Sequence, residues 1–352
     1  MRRHTVLPWL KRAIDTLSPG AFALVMATGI ISNAFYFENW RALSDILFAI
    51  NLTAYGVLIA ATVLRTILVP HAIGADLVDP RQVFSFFTFV AATDVLGAGV
   101  VLRGYGDIAM PMWLVALVAW LALMYTSFGV LTFRNAAHDA DVVHGGWLVA
   151  IVGTQSLVIL GSLVAPSFGA TAGLVFVLTH MLWGVGLALY GIYVTLFAQR
   201  IFFHDFRPDD ISPLLWVVMG AAAISTNAGA VLIMTDSHVA YLNTMEGFIA
   251  GVTLIAWAWA TWWIPLLLLL GVWKHIVHRV PIRYTLTLWS LVFPLGMYAL
   301  ASLRLSLAAE VPALRVMSAM MVWIALAAWL ATAAGLILAS WQNYRDFARA
   351  SA

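Results

Sequence analysis

The sequence predicts an all-α polytopic membrane protein, with ten transmembrane helices forming five parallel-repeated helical hairpins around a central pore. Three observations predict this fold class. Of the 352 residues, 63% are hydrophobic and only 10% are charged, whereas about a quarter of the residues of a soluble domain are charged. Ten apolar stretches have about the length, roughly 20 residues, that crosses a bilayer. These stretches also recur in pairs at a regular interval.

The ten predicted spans form a single transmembrane domain over residues 1–352. Polar connectors separate them, for example PHAIGADLVDPR and FHDFRPDD, and none of the connectors is long enough for a second domain. In chain order, the spans cover residues 19–37, 43–65, 82–102, 109–133, 146–165, 172–199, 211–234, 243–272, 284–304 and 313–340.

The basic residues predict which side of the membrane each connector faces. If the N-terminus is cytoplasmic, the cytoplasmic segments contain fourteen Lys and Arg residues, and the outer segments contain Arg41, Arg103, Arg304 and Arg315. Cytoplasmic segments of membrane proteins have the excess of basic residues. We therefore expect an even number of spans, with the N- and C-termini both in the cytoplasm.

The odd-numbered spans begin near residues 19, 82, 146, 211 and 284, at intervals close to 65 residues. A unit of two antiparallel helices that repeats in one direction indicates parallel repeats about an axis along the membrane normal. The odd spans are rich in small residues, which suit the lining of a narrow lumen and close helix packing equally well. These residues are Ala27, Thr28, Gly29, Ala91, Ala92, Thr93, Gly153, Thr154, Gly220, Ala221, Ala222 and Ser302.

Six segments of the chain resemble those of a known transporter family in residues, order and spacing. They are PGAFALVMATGIIS, DPRQVFSFFTFVAATDVLG, HMLWGVGLALYGIY, SPLLWVVMGAAAISTNAGA, AWAWATWWIPLLLLLGVWKH and LWSLVFPLGMYALAS. On these segments, which extend over nearly the whole chain, the protein resembles the tellurite-resistance/C4-dicarboxylate transporter family. That family also includes plant slow anion channels and fungal malate and sulfite transporters, and this chain is most similar to its bacterial branch.

The resemblance implies ten helices in five hairpins, with the odd helices kinked around a central pore. It implies a homotrimer with one pore per protomer, embedded in a bacterial inner membrane. It also implies a phenylalanine of the ninth helix that occludes the pore. Phe293 is the best match to that residue, and Phe87 and Phe84 of the third span are weaker candidates for a second lining aromatic.

The ninth span is interrupted beside Phe293, at Pro294 and Gly296. Proline lacks the N–H of a helix interior and frees one carbonyl group, and irregular backbone at membrane depth is tolerated where it lines a cavity. We therefore interpret Phe293, Pro294 and Gly296 as a pore gate, in which Phe293 plugs a narrow apolar bore that resists ions. The alternative is a packing kink, with Phe293 directed at a neighbouring helix.

Asp94 lies midway along the third span, in FVAATDVLGAGV. An ionisable residue within a membrane is a functional candidate by default. An ionised Asp94 facing the pore would repel an anion and a protonated one would not, so Asp94 is our candidate for proton coupling. The alternative is a neutral, hydrogen-bonded Asp94 that packs between helices.

Other polar residues of the odd spans could donate hydrogen bonds to an anion in the pore. The pore-lining candidates are Thr28, Phe87, Asp94, Thr154 and Asn227, although Thr28 and Asn227 are as well suited to bridging two helices. The predicted spans have no Lys or Arg at their centres. This pattern favours weak anion binding, with attraction left to backbone dipoles and charges at the rim.

Several function classes have no support in the sequence. The chain has no cysteine, which excludes disulfides and thiolate metal sites. His275 and His278 are three residues apart, and His138 and His144 flank two aspartates, but no HExxH zinc motif or nucleotide-binding glycine motif occurs. We therefore expect no enzyme activity, no metal, no cofactor and no nucleic-acid partner.

The sequence as a whole predicts transmembrane transport of small anions through a phenylalanine-gated pore. The substrates that fit the resemblance are C4-dicarboxylates such as malate and oxyanions such as tellurite or sulfite, with proton-coupled transport as the first hypothesis. The alternative is a passive channel that conducts chloride or nitrate. The partners are then the anion, the lipid bilayer and two further copies of the chain.

Overall fold

The computed structural model describes Trp9 and residues 11–134, 145–203 and 207–350. These residues form helices and connecting turns, and they contain no β-strand, which confirms the all-α prediction for this part of the chain. The helices are α1 (Ala23–Phe37), α2 (Arg41–Leu68), α3 (Pro70–Val78), α4 (Phe87–Leu102), α5 (Gly106–Phe133), α6 (Leu148–Val164), α7 (Ala172–Phe203), α8 (Val217–Met234), α9 (Ala240–Thr244), α10 (Glu246–Val272), α11 (Trp289–Ala308) and α12 (Ala313–Ala350).

Within the described ranges, nine helical stretches are long and apolar enough to cross a membrane. The longest, Gly145–Phe203, has 59 residues, and a single helix of that length would extend over about 88 Å, roughly three times the hydrocarbon thickness of a bilayer. Gly169, between α6 and α7, has non-helical backbone angles, with φ 55° and ψ −122°. Glycine adopts this conformation readily because it has no Cβ. The chain turns there, and α7 packs back against α6.

Burial divides the membrane-length helices into two groups. In five of the nine stretches, between 72% and 94% of an apolar segment of 18 residues is buried inside the protein. These five stretches contain α1, α4, α6, α8 and α11. In the other four the share is between 11% and 22%. We call the first group the inner helices. We call α2, α5, α7, α10 and α12 the outer helices, because each packs against the inner helix that precedes it in the chain.

The inner helices form a closed ring in this part of the molecule. Contacts join α1 to α4, α4 to α6, α6 to α8, α8 to α11, and α11 back to α1. Each inner helix also begins with a 3-10 turn, at Pro19–Phe22, Val83–Phe86, Gly145–Trp147, Pro213–Trp216 and Leu286–Leu288 respectively. Short 3-10 turns are common at helix termini, and one precedes each of these five helices.

Hydrogen bonds from aromatic side chains fasten the outer helices to hydroxyl groups of the ring. The indole N–H groups of Trp329, Trp120 and Trp257 donate to the hydroxyl oxygens of Thr28, Thr154 and Ser302, over 2.8, 2.8 and 2.9 Å. The Tyr55 and Thr93 hydroxyls form a similar bond of 2.9 Å between α2 and α4. Hydrogen bonds between membrane helices contribute about 0.6 kcal/mol each on average.

Candidate functional site

The face of α11 that carries Phe293 can be assigned from its neighbours. Ser302, nine residues further on, accepts its hydrogen bond from Trp257 of the outer helix α10. Nine residues are two and a half turns of an α-helix, so Phe293 lies on the opposite side of α11 from Ser302. Phe293 is 2% exposed. Its side chain therefore points away from the outer helices and into the ring.

Phe293 shares this face with three residues that line a small internal pocket. Met297, Leu300 and Arg304 follow Phe293 at spacings of four, three and four residues, which keeps all four on one side of the helix. The pocket lies between the middle and C-terminal parts of the inner helices, and its other lining residues are Ile30, Asn33, Asp94, Val95, Ala98, Ser156, Ile159 and Asn227. The volume of this cavity is about 10 Å³.

Arg304 is the functional candidate that the sequence analysis missed. The sequence places Arg304 in an outer connector, and this prediction is wrong, because α11 continues to Ala308 and buries Arg304 to 5% exposure. Its guanidinium donates to the Asn227 side-chain oxygen over 3.1 Å and lies 5.3 Å from the ring centre of Phe37. The spacing of Phe293, Met297, Leu300 and Arg304 on one helical face is the signal that could have identified it.

The Arg304 charge has little local compensation. No carboxylate lies within 4 Å of it among the described residues. A buried charge is costly unless it is paired and hydrogen-bonded, and an aromatic ring offsets only a small part of this cost. Arg304 is thus a positively charged group inside the ring whose natural partner is an anion.

Asp94 lies in the same pocket, on α4, and is 1% exposed. Its Oδ2 is 2.8 Å from the hydroxyl oxygen of Ser156, which is itself 2.8 Å from the carbonyl oxygen of Gly153. A serine hydroxyl has one proton and can donate it to only one of these two oxygens. When Asp94 is protonated at Oδ2, it donates to Ser156 and Ser156 donates to Gly153, so this arrangement can hold a proton on Asp94.

Two side-chain oxygens of the pocket lack a hydrogen-bond partner among the described residues. They are Asp94 Oδ1 and Asn33 Oδ1. The amide nitrogen of Asn33 donates to the Val95 carbonyl over 3.1 Å. This bond sets the orientation of the amide, so the side-chain oxygen is the atom without a partner. Asn227, a predicted lining residue, binds Arg304 through its oxygen and has only the Met297 sulfur, at 3.4 Å, as acceptor for its nitrogen.

Phe87 occupies on α4 a place similar to that of Phe293 on α11. Phe87, Ala91, Asp94 and Ala98 follow one another at spacings of four, three and four residues, so Phe87 is on the Asp94 face, two turns nearer the start of the helix. Phe87 is fully buried and lies against Gly153 of α6. Phe84, the other candidate for a second lining aromatic, stacks on Trp147 and contacts Tyr193 of the outer helix α7 instead.

The remaining predicted site residues lie elsewhere. The hydroxyls of Thr28 and Thr154 are bound by tryptophans of outer helices, and neither residue lines the pocket. A Cβ atom added to Gly296 would be 2.8 Å from Ile30 and 2.9 Å from Ile31, so Gly296 allows close contact with α1. Small residues in the odd spans suit either a pore lining or close helix packing, and this contact fits close packing.

Pro294 packs against Gly220 of α8, where an added Cβ would be 2.7 Å from its ring. The sequence suggests a break at Pro294, but α11 is one helix from Trp289 to Ala308. Pro294 is the sixth residue of α11, and a proline frees the carbonyl four residues earlier, which belongs to Ser290. The missing hydrogen bond thus falls in the first turn, where helix continuity depends on it least.

His275 and His278 belong to no candidate metal site within the described residues. The Nδ1 atoms of His275 and His278 each lie next to a backbone carbonyl of their own segment, at 2.8 and 3.1 Å. No group of three or more His, Cys, Asp or Glu side chains occurs in the parts of the chain that the structure describes. His138 and His144 lie outside those parts.

Comparison with known proteins gives a consistent group of relatives. A sequence model of the voltage-dependent anion channel (SLAC1) family matches residues 16–337. An uncharacterised transporter of Methanocaldococcus jannaschii is 25% identical over 286 residues, which are 79% of this chain and 81% of the relative. A sulfite efflux pump of Arthroderma benhamiae is 22% identical over 321 residues, 82% of each chain.

A further relative is more similar over a shorter segment. An uncharacterised membrane protein of Mycobacterium tuberculosis is 46% identical over 125 residues, which are 35% of this chain. The match extends over 62% of the length of that relative.

Proposed function

The chain belongs to the voltage-dependent anion channel family, and from this premise we propose that it transports small anions through the ring of inner helices, past Phe293. One observation carries the proposal. Phe293 lies on the face of α11 opposite the outer helices, in line with the buried and poorly compensated charge of Arg304. An aromatic side chain would thus block the path beside a group that attracts anions.

The proposed architecture is ten membrane spans in five hairpins. Its support is that each outer helix packs on the preceding inner helix and that the five inner helices close a ring. From the predicted charge bias we place both termini in the cytoplasm of a bacterial cell and the pocket in the outer half of the membrane. From the family resemblance we propose a homotrimer. The mass of the detergent-solubilised particle would test this oligomeric state.

The proposed substrates are small oxyanions and carboxylates. One relative is named as a sulfite efflux pump, and malate and tellurite are compatible with the family resemblance. Arg304 and the Asn227 amide nitrogen are hydrogen-bond donors that suit the oxygens of such anions. Phe293 and Phe87 would form an apolar constriction on the N-terminal side of the pocket, where a desolvated ion is costly.

We propose that transport is coupled to a proton on Asp94. The Ser156 hydroxyl, placed between Asp94 Oδ2 and the Gly153 carbonyl, supports a protonated carboxyl. The other ionisable groups nearest to Asp94 are Arg304 of α11, which lines the same pocket, and Tyr55 of α2, which binds the adjacent Thr93. The alternative function is a passive channel for chloride or nitrate, which the Arg304 charge would also serve.

Anion flux into proteoliposomes tests the gate. The change is Phe293→Ala, and we expect anion influx to rise at least tenfold, which corresponds to about 1.4 kcal/mol off the barrier. The reason is that removing the ring opens the constriction beside the pocket. An inward proton gradient imposed on the native protein separates the two functions, because only a coupled carrier would accumulate the anion against its gradient.

The matched control is Phe35→Ala. Phe35 is as fully buried as Phe293, but its ring contacts Trp323 of the outer helix α12, 5.1 Å away. The control should lose stability without gaining flux. Equal fluxes in native protein, Phe293→Ala and Phe35→Ala would contradict the gate.

A further inference from the structure

Two residues of the pocket beside Arg304 have hydrogen-bond acceptors that no described residue satisfies. Asp94 Oδ1 and Asn33 Oδ1 have no donor among the described residues, although Asp94 and Asn33 are only 1% and 3% exposed. Buried polar atoms in proteins almost always have a partner. Two residues that line one pocket thus each have an unpaired oxygen, which points to a ligand that brings its own donor.

The same pocket has donors that an anion would satisfy. The Arg304 guanidinium has five N–H groups, and one bond, to Asn227, is described for it. Among the described residues, the acceptor for the Asn227 amide nitrogen is the thioether sulfur of Met297, which is a weak acceptor. A ligand that fits both sets of groups has charged oxygens for Arg304 and Asn227 and a hydroxyl for Asp94 or Asn33.

We propose that this pocket selects monoprotonated oxyanions, which are anions with both a charged oxygen and an O–H group, such as hydrogen sulfite. The proposal rests on the proposed anion transport and specifies its substrate class. Anions without a hydroxyl, such as chloride, nitrate and chlorate, bind Arg304 but leave the two acceptors unpaired. Asp94 Oδ1, the oxygen that Ser156 does not contact, can accept a hydrogen bond whether the carboxyl is ionised or is protonated at Oδ2.

Entry of such an anion requires the pocket to widen. Met297 occupies the space in front of the Asn227 amide nitrogen, and a methionine side chain has three rotatable bonds and adapts easily. Its displacement frees the Asn227 donor for a substrate oxygen. The amide thus exchanges a weak acceptor for a strong one as the ligand binds.

Binding of two matched anions to the full-length detergent-solubilised protein tests the proposal. Hydrogen selenite and chlorate are both pyramidal oxyanions with one negative charge, and only hydrogen selenite has an O–H group. Calorimetry at a pH where hydrogen selenite predominates should show roughly tenfold to hundredfold tighter binding of hydrogen selenite, as expected for a hydrogen bond to a charged or buried group.

Two variants locate the selectivity. In Asp94→Asn the Ser156 hydroxyl holds the amide oxygen and the amide nitrogen replaces the free acceptor, so the preference for hydrogen selenite over chlorate should fall about tenfold or more. Asn33→Leu should reduce the preference in the same direction. Asn51→Leu is the matched control, because Asn51 is also buried without partners but does not line the pocket; it should leave the preference unchanged.

The comparison of two anions in the native protein does not depend on any variant folding. Equal binding of chlorate and hydrogen selenite, with both lost in Arg304→Gln, would overturn the selectivity and leave anion transport intact. Binding of neither anion together with an absence of anion flux would overturn both proposals. A preference for hydrogen selenite that Asp94→Asn and Asn33→Leu both leave unchanged would also overturn the assignment of the acceptors.

Discussion

The two halves of the inner ring differ in chemistry. The N-terminal halves of α11 and α4 direct Phe293 and Phe87 along the faces that lead to the pocket, and both side chains are almost completely buried. The middle and C-terminal parts place Asp94 and Arg304, together with Asn33, around the pocket itself. In the proposed transport mechanism, the barrier to an ion and the groups that bind the ion would occupy successive layers of one path.

The separation has a physical consequence for selectivity. Burying an ionisable side chain within the membrane costs free energy, and such residues are kept where they serve a function. An apolar aromatic side chain has no such cost. A change in the aromatic layer should therefore alter how fast anions pass, and a change in the polar layer should alter which anions bind. The predictions that follow test this division.

The largest effect is expected from Arg304→Gln. Glutamine keeps hydrogen-bonding groups near Asn227 but removes the only arginine charge described in the pocket. Truncating one member of a desolvated charge pair costs about 2–5 kcal/mol, so anion affinity should fall roughly 100-fold. Calorimetric binding of chlorate to the solubilised protein measures this loss.

Arg103→Gln is the control for the loss of an arginine. Arg103 lies at the end of α4 outside the pocket and pairs with Asp45 over 2.8 Å. Its replacement should leave chlorate affinity within about twofold of native, because an ion pair with an exposed partner contributes little. If Arg103→Gln and Arg304→Gln weaken binding equally, the pocket is not the place where the anion binds.

A smaller effect is expected from Asp94→Asn on the pH dependence of chlorate flux. In the native protein, lowering the pH protonates Asp94 and removes a negative charge from the pocket, so flux should rise as pH falls. Two unit charges on the order of 10 Å apart repel by about 1.7 kcal/mol at an effective dielectric constant of ~20, which corresponds to more than tenfold. Asparagine has no charge to lose, so the variant should transport at a constant rate close to the native acid value.

Chlorate is suited to this measurement because it remains the same monoanion over the whole pH range. The control is Asp45→Asn, which removes a carboxylate from the Arg103 ion pair at the surface and should retain the native pH dependence. A native pH profile in Asp94→Asn would exclude Asp94 from coupling and leave the passive channel as the better function.

The sequence predicts well where the helices lie along the chain. It predicts poorly which side of each helix points into the ring. Most helix ends lie within a few residues of the predicted limits, because apolar runs broken by polar connectors are visible in one dimension; α4, for example, ends at Leu102 as predicted. The exception is α12, which continues to Ala350, ten residues beyond the predicted end at 340. The facing of Thr28 and Thr154 is not visible, because an inner helix is apolar on every side and has no polar face to orient it.

Arg304 was misplaced for a related reason. The predicted span ends at residue 304, and a helix boundary is uncertain by one or two residues even in a structure. The four further residues of α11 move Arg304 from a connector into the core. Only the packing of α8 beside α11, which brings Asn227 within 3.1 Å of the guanidinium, shows that the charge is buried.

The smallest effect is expected from Thr28→Val, and it distinguishes a residue of the path from one that joins the two layers of helices. Valine has the shape of threonine without its hydroxyl, so it removes the acceptor of the Trp329 N–H bond between α1 and α12. The free energy of unfolding in detergent should fall by about 0.6 kcal/mol. Anion selectivity should not change, because Thr28 does not line the pocket.

Trp329→Phe completes a double-mutant cycle with Thr28→Val. If the two side chains act only through their hydrogen bond, the second change should cost less in the presence of the first, and the coupling energy should again be about 0.6 kcal/mol. A shift in the preference between hydrogen selenite and chlorate in Thr28→Val would instead place Thr28 in the path. The polar layer would then extend toward the aromatic constriction, and the division of the ring into two layers would fail.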